Sequence, residues 1–291
     1  MLILFTDTDC DATPENIKKY GYHLISMPYS PDGKTLVCPY EDYETLDFHA
    51  FYDNLRAGQI PSTSAIGKER YIQYFEPFFR NGDDILYVHF SSALSATFGA
   101  MRQAVDELRE KYPAAGFYTV DTKGITTISY AIVKAIGEMV LAGKTVEEIL
   151  EWAKTEVDHF AQYFFADDLR FFRRSGRVSG LAAMMGTLIG IRPIIYMSPD
   201  GKMESIGKVK GRYAALEHLI GKLDELGDRP EEYPIYIGHT DAPELVAELE
   251  RLIREKYPDK ELNIEAVCVN PTSGAHAGPD SVSVCFHAHH R

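Results

Sequence analysis

The chain has 291 residues, 45% of them apolar, and 43 acidic against 30 basic side chains, for a formal charge of −13. That length suits about two domains, and the acidic balance argues against nucleic acid or an anionic membrane surface as the main partner. Cys10, Cys38, Cys268 and Cys285 are scattered without a C-x-x-C pair, which points to reduced thiols rather than a zinc site or a disulfide framework. The opening apolar run is cut short by Asp7 and no later run reaches about 18 residues, so neither a signal peptide nor a spanning helix is expected, and the expected location is cytoplasmic.

The first half alternates strand and helix. Leu2 to Phe5 reads as a buried strand, and Thr13-Pro14 opens a helix, with a capping hydroxyl and a proline at its first position, that Gly21 closes. His23 to Tyr29 is the next expected strand. Asp47 caps a helix carrying Phe48, Phe51, Tyr52 and Leu55, which Gly58 ends before the hydroxyl cluster Pro61-Ser62-Thr63-Ser64. A helix from about Gly67 is expected to bury Tyr71, Ile72, Phe75, Phe78 and Phe79. The strand around Ile85 then runs into Ser91-Ser92-Ala93-Leu94-Ser95-Ala96-Thr97, a helix with Phe98, Met101, Val105 and Leu108 on one face, and a strand from Gly116 to Val120. This alternation predicts a parallel sheet wrapped by helices, whose ligands gather at the carboxyl ends of the strands.

From Thr145 a capping box with Glu148 opens a helix expected to carry Ile149, Ala153, Val157, Phe160 and Phe164. Strands are expected near 191–197, 203–209, 233–238, 264–269 and 282–286, with helices around 214–226 and 243–257. The Asp200-Gly201 turn joins the first two strands as a hairpin. The fold class expected is therefore α/β: a parallel-sheet N-terminal domain wrapped by helices over residues 1–160, followed by an α+β C-terminal domain over 161–291.

Two hydroxyl clusters at element breaks are the most informative chemistry. The first-turn N–H groups of a helix lack internal partners, so the Ser91 to Thr97 corner either caps them or binds an anion, and its pairing with the Pro61 cluster favours a site. A third stretch, Ser273-Gly274-Ala275-His276-Ala277-Gly278-Pro279, reads as a glycine loop offering a histidine. Arg170, Arg173, Arg174 and Arg177, then Lys202, Lys208, Lys210 and Arg212, form a basic stretch on an acidic background. Between them lies an apolar run whose Met184 and Met185 suit an adaptable wall. His287, His289 and His290 read as a frayed tail rather than a metal site. Asp7-Thr8-Asp9-Cys10-Asp11 invites a calcium loop, which Ala12 and Lys18 exclude by standing where a turn glycine and a bidentate glutamate are needed. It also invites a haloacid-dehalogenase-like phosphatase or phosphotransferase using Asp7 and Asp9. A strand-end turn with side-chain capping is the stronger reading.

Taken together, the chain resembles the DegV family, including its fatty-acid-binding FakB members. The matching stretches are Thr6-Asp7-Thr8, Pro61-Ser62-Thr63-Ser64, Ser91 to Phe98, Val120-Asp121-Thr122-Lys123, Asp168-Leu169-Arg170-Phe171, Ser175-Gly176-Arg177-Val178-Ser179, Ile191-Arg192-Pro193-Ile194-Ile195 and His276-Ala277-Gly278-Pro279, in family order across nearly the whole chain. The resemblance implies a carrier without catalysis or cofactor of its own. A long-chain fatty acid such as palmitate or stearate would lie between two domains, and a partner fatty acid kinase would convert it to an acyl phosphate. It assigns the carboxylate to Thr63 and Ser95, with Ser64 and Ser92 in support and His276 near the head group. Arg177 matches an arginine implicated in kinase docking, and Lys210 or Arg212 a second basic docking position. Asp280 stands where the family's motif ends in glycine, and a carboxylate there would repel an anionic ligand if it pointed inward. Burying about 14 methylenes at ~0.8 kcal/mol each yields roughly 11 kcal/mol before ordering costs, enough to draw a lipid monomer from a bilayer during transient membrane contact.

Overall fold

The computed structural model describes residues 1–39, 41, 46–180 and 190–291. The Met184 and Met185 wall lies outside the described residues. The first half contains β1 (Leu2–Asp7), α1 (Pro14–Tyr20), β2 (Tyr22–Ile25), β3 (Tyr29–Ser30), α2 (Phe48–Arg56), β4 (Ser62–Thr63), α3 (Lys68–Asn81), β5 (Asp84–His89), α4 (Thr97–Lys111), β6 (Phe117–Asp121) and α5 (Thr127–Leu141). Then come α6 (Val146–Glu156), β7 (Phe160–Phe165), α7 (Leu169–Ser175), β8 (Val178–Ser179), β9 (Ile191–Met197), β10 (Met203–Lys210) and α8 (Arg212–Leu226). The chain closes with β11 (Ile235–His239), α9 (Pro243–Lys256), β12 (Ile264–Cys268), α10 (Pro271–Ala277) and β13 (Val282–His287).

The first sheet is wholly parallel in the order β2-β1-β5-β6. The chain leaves β1 towards β2 on one side and towards β5 and β6 on the other, so the order reverses between β1 and β5 and opens a crevice beyond their carboxyl ends. Residues 26–28 break the expected second strand: Pro28 has no N–H to give a ladder, and the Met27 N–H donates instead to Thr8 Oγ1 at 2.9 Å. The chain resumes as β3, which pairs antiparallel with β4 and sets Thr63 opposite Tyr29.

The second sheet is mixed, in the order β12-β11-β13-β7-β9-β10-β8, with β9 and β10 joined as the expected hairpin. Its outer face packs Phe165, Ile194, Ile237 and Val284 against Leu216 and Leu219 of α8 and Leu249 of α9. Its inner face shares one continuous core with the first sheet, since Ile195, Met197 and Tyr236 cluster with Ile85, Val120 and Ile132. Helix α5 packs against β7, β11 and β13 and is apolar on nearly every side, burying Ile128, Ala131, Ile132 and Ile136, as a helix between two sheets must be. None of the described helices is long and apolar enough to cross a membrane.

The capping box holds as expected, Thr145 and Glu148 bonding each other's backbone N–H, but the helix it opens stops at Glu156. Phe160 and Phe164 lie on β7, every residue of which is buried. Their four-residue spacing satisfies a strand's two-residue period as well as a helix turn, and the aromatic run Phe160 to Phe165 takes the strand because both faces of the sheet are covered. His287 is likewise no frayed tail: it ends β13, 8% exposed, with its ring stacked 3.9 Å from that of Tyr233.

Candidate functional site

A cavity of about 1140 Å³ of atom-free space, its open mouth included, lies between the carboxyl ends of β1 and β5 and the inner face of the second sheet. Met27, Phe90, Leu94, Phe164, Phe172 and Met203 form much of its apolar wall. One end is built from three separate pieces of chain that carry Thr63, Ser95 and His276.

Thr63 is held by the short β3–β4 ladder, and its Oγ1 lies 2.8 Å from His276 Nε2. His276 sits on α10, a helix where a glycine loop was expected. Asn270 caps it by accepting from Thr272 N and Ser273 N, Pro271 occupies its first turn, and the Gly278 N–H returns to Gly274 O. The cue is present in Asn270-Pro271, a capping residue followed by proline, and the glycine-rich interior masks it. Burial lowers the pKa of His276 to about 4, with the Arg177 guanidinium acting in the same direction, so the ring is neutral at physiological pH. With the proton on Nε2, the ring donates to Thr63 Oγ1 and leaves the threonine O–H to point at a ligand.

The serine corner divides its labour. Ser91 Oγ donates to Gly201 O at 2.7 Å, tying the corner to the β9–β10 turn. Ser92 Oγ donates to Asp121 Oδ2 at 2.5 Å and faces a different hollow, between α4 and β6, so it does not line the cavity with Thr63. Thr97 Oγ1 donates to Ile66 O and pairs with the Tyr71 hydroxyl. Ser95 Oγ accepts from Thr97 N at 3.3 Å, which keeps its own O–H as a donor, and Ser95 lines the cavity. Ser64 lies exposed at the rim.

Arg177 follows the left-handed cap Gly176 and lines the same end of the cavity, its guanidinium donating to Ser175 O. Lys210 is exposed at the end of β10. Arg212 makes two bonds of 2.9 Å to Asp167, so its charge is already engaged. Asp280 turns away from the cavity, accepting from Arg56 at 2.8 Å with Arg212 at 3.8 Å, so the repulsion it could have exerted on an anion does not arise.

Asp7, Asp9 and Asp11 are all buried. Asp7 accepts from Asp9 N, the Tyr87 hydroxyl and Phe90 N, which braces β1 against β5. Burial, with the Asp9 charge added, raises its pKa to about 8. Asp11 accepts twice from Asn270 and is raised by burial to about 8. Asp9 accepts from Ser273 Oγ at 2.8 Å and is raised by burial to about 6. Asp7 is fully covered and does not line the cavity, so it presents no nucleophile. The one group of described residues able to converge on a metal, His49, Asp53 and Asp241, includes neither Asp7 nor Asp9. The phosphatase arrangement is therefore without support. Residues that no sequence motif singled out also line the cavity: Thr126, Gln162, Ser281 and Ser283 come from the start of α5 and the inner face of the second sheet. Strand alternation in β7 and β13 could have pointed to Gln162 and Ser283, while Ser281 lies just before β13.

This is an α/β protein with a partly apolar cavity between two sheets and a hydroxyl-lined, anion-compatible end. The family model described as an uncharacterised protein of the DegV family matches residues 1–289. A DegV domain-containing protein of Clostridium perfringens is 33% identical over 291 residues, covering 98% of this chain and 96% of that protein. The chain belongs to the DegV family. Its fold is shared with a DegV lipid binding protein from Thermotoga maritima, with a TM-score of 0.84 and 23% identity over 100% of this chain and 99% of that one. A stearic acid-binding protein from Eubacterium ventriosum gives a TM-score of 0.84 and 20% identity, covering 99% of this chain and 98% of that one.

Proposed function

We propose that this chain is a fatty-acid carrier with two domains, residues 1–160 and 161–291, that holds one long-chain acid such as palmitate or stearate in the cavity between them. The observation that carries this reading is the division of the serine corner: Ser91, Ser92 and Thr97 spend their hydroxyls on the protein, and Ser95 keeps a donor in the same cavity as the Thr63–His276 pair. Two neutral hydroxyl donors satisfy a carboxylate, and Arg177 adds a positive potential without a fixed ion pair. A carboxylate so held remains nucleophilic. Its oxygen attacks the terminal phosphorus of ATP on a partner fatty acid kinase, ADP leaves, and an acyl phosphate remains on the carrier. Arg177, with Lys210 and Arg212, is the proposed kinase-docking set, and the exposed Ser64 rim is where the head group meets the partner. The stearic acid binding of the Eubacterium ventriosum relative accords with this reading.

Lipid mass spectrometry on protein purified under native conditions tests the proposal. A long-chain acid near one per chain is expected in the wild type, and the Thr63→Ala/Ser95→Ala double variant is expected to lose it. An empty wild-type cavity, or a double variant that keeps its lipid, would refute the assignment.

A further inference from the structure

Behind the serine corner lies a second hollow, about 840 Å³ of atom-free space with its open mouth included, bounded by α4 and by β6, the edge strand of the first sheet. It shares no described lining residue with the lipid cavity. At the end beside the last residues of β5 and β6 it is lined by His89, only 4% exposed, whose ring lies 4.3 Å from that of Phe98 and whose Nδ1 is 2.7 Å from Phe90 O. A carbonyl only accepts, so Nδ1 carries the proton. Burial lowers the pKa of His89 and keeps the ring neutral, which leaves Nε2 a bare acceptor. Nε2 has no hydrogen-bonding partner among the described residues, and unlike the sealed unpartnered atoms of this chain it is open to the hollow. Buried polar groups are paired in the great majority of cases, so this nitrogen calls for a donor.

The charges around the hollow balance. Arg102 and Asp106 stand one turn apart on α4, a spacing at which such side chains often pair, yet neither has a hydrogen bond or ion pair among the described residues. Arg109 donates to Phe117 O at 3.0 Å, and Asp121 is spent on Ser92 and the Lys123 N–H. These two guanidinium and two carboxylate groups line the hollow around a floor of Phe98, Met101, Val105 and Phe117. A lone anion would meet Asp106 and Asp121, and a lone cation Arg102 and Arg109. A hydroxyl escapes both penalties, because it donates to Nε2 or a carboxylate and accepts from a guanidinium. No single hydroxyl serves the whole hollow, since the distance along α4 from Phe98, where His89 packs, to Asp106 is about 12 Å. A row of hydroxyls with apolar C–H faces turned to the floor covers that length, and two linked sugar rings have that form.

We propose that this hollow binds an uncharged carbohydrate of disaccharide size, with one hydroxyl donating to His89 Nε2 and others bridging Arg102 and Asp106. The site is separate from the lipid cavity, so either assignment stands without the other. Saturation-transfer NMR on the full chain titrates maltose, cellobiose, lactose, sucrose and trehalose, with glucose, glucose 6-phosphate and glucosamine as controls. At least one disaccharide is expected to bind with a dissociation constant below about 1 mM, and about tenfold more tightly than glucose, which is too short to reach from His89 to Asp106. Arg102→Ala and Asp106→Ala, both at exposed positions of α4, are each expected to weaken that binding about tenfold, the loss of one hydrogen bond to a charged group. His89→Phe keeps the ring packing, removes the acceptor and is expected to do the same, with thermal melts checking that each variant is folded. Glucose 6-phosphate or glucosamine binding more tightly than every disaccharide would overturn the uncharged class. Failure of every disaccharide to bind below about 1 mM, or binding that survives the Arg102 and Asp106 substitutions, would overturn the site.

Discussion

At the scale of single residues, the unusual feature is a run of buried acids beside a buried neutral histidine. Asp7, Asp9 and Asp11 are raised from 3.8 to about 8, about 6 and about 8, so the folded chain holds protons that the unfolded chain has released. Their contribution to stability is complete below the unfolded value and is lost as pH climbs through the folded values. His276 acts in the opposite sense: lowered from 6.5 to about 4, it costs stability as pH falls through that interval. Burial lowers His23, His89, His218 and His239 as well, so below about pH 6.5 the imidazoles oppose the acids, and the urea midpoint is expected to fall between about pH 6.5 and about pH 8, where Asp7 and Asp11 give up the protons that the fold holds. Asp11→Asn removes one titrating group and keeps an oxygen to accept from Asn270, so it is expected to flatten that profile. Urea titrations across this range check it, and an unchanged slope in the variant would show that Asp11 is not a source. The same burial explains why these acids mislead a reader of the sequence. Strand-end aspartates look like catalytic groups, and only the packing of Tyr87, Phe90 and Asn270 around them shows that they brace the crevice.

At the scale of elements, legibility followed local signals. Thr13-Pro14 with Gly21, Asp47 before α2, and Thr145 with Glu148 each carry their own cap, and each boundary lies within a residue or so of its expected place. Strand β7 and helix α10 were not legible for different reasons: β7 is a strand through burial on both faces, a tertiary cue, whereas the local start signal of α10, Asn270-Pro271, is masked by a glycine-rich interior whose Gly274 admits the Tyr52 ring. Ser95 could be picked from its corner only through the family resemblance, since the partners that occupy Ser91, Ser92 and Thr97 come from residues distant in sequence. Close approach between elements also leaves a testable mark. A Cβ at Gly238 on β11 would strike Thr127 Oγ1 at the head of α5 and crowd Ser283 Oγ. Gly238→Ala is therefore expected to destabilise the fold by about 1–3 kcal/mol, the usual cost of overpacking. A thermal melt indistinguishable from wild type would show that α5 can move off the sheet without penalty.

At the scale of the whole molecule, the cavity exists because two sheets are held apart by α5 and yet fastened at their margins. Ser91 binds the β9–β10 turn at Gly201, and Lys123 pairs with Asp158 at 2.9 Å. The strongest fastening is Arg291, only 8% exposed, whose guanidinium donates to Thr122 O and Lys123 O beyond β6 and to Val157 O and Phe160 O at the entry to β7. One side chain thus satisfies four carbonyls from both sides of the junction, which suits the rigid five-donor fork of arginine and not the single ammonium of lysine. Charged hydrogen bonds of this kind are worth more than neutral ones, and their removal strands buried acceptors, so Arg291→Ala is expected to cost about 3 kcal/mol. Arg291→Lys is expected to recover less than half of that, because an ammonium cannot reach both pairs of carbonyls at once. Urea unfolding of the two variants against wild type measures both figures. A full rescue by lysine would mean that the charge alone fastens the junction, and a loss below about 0.5 kcal/mol in the alanine variant would mean that α5 and the shared core hold the two sheets in register without it.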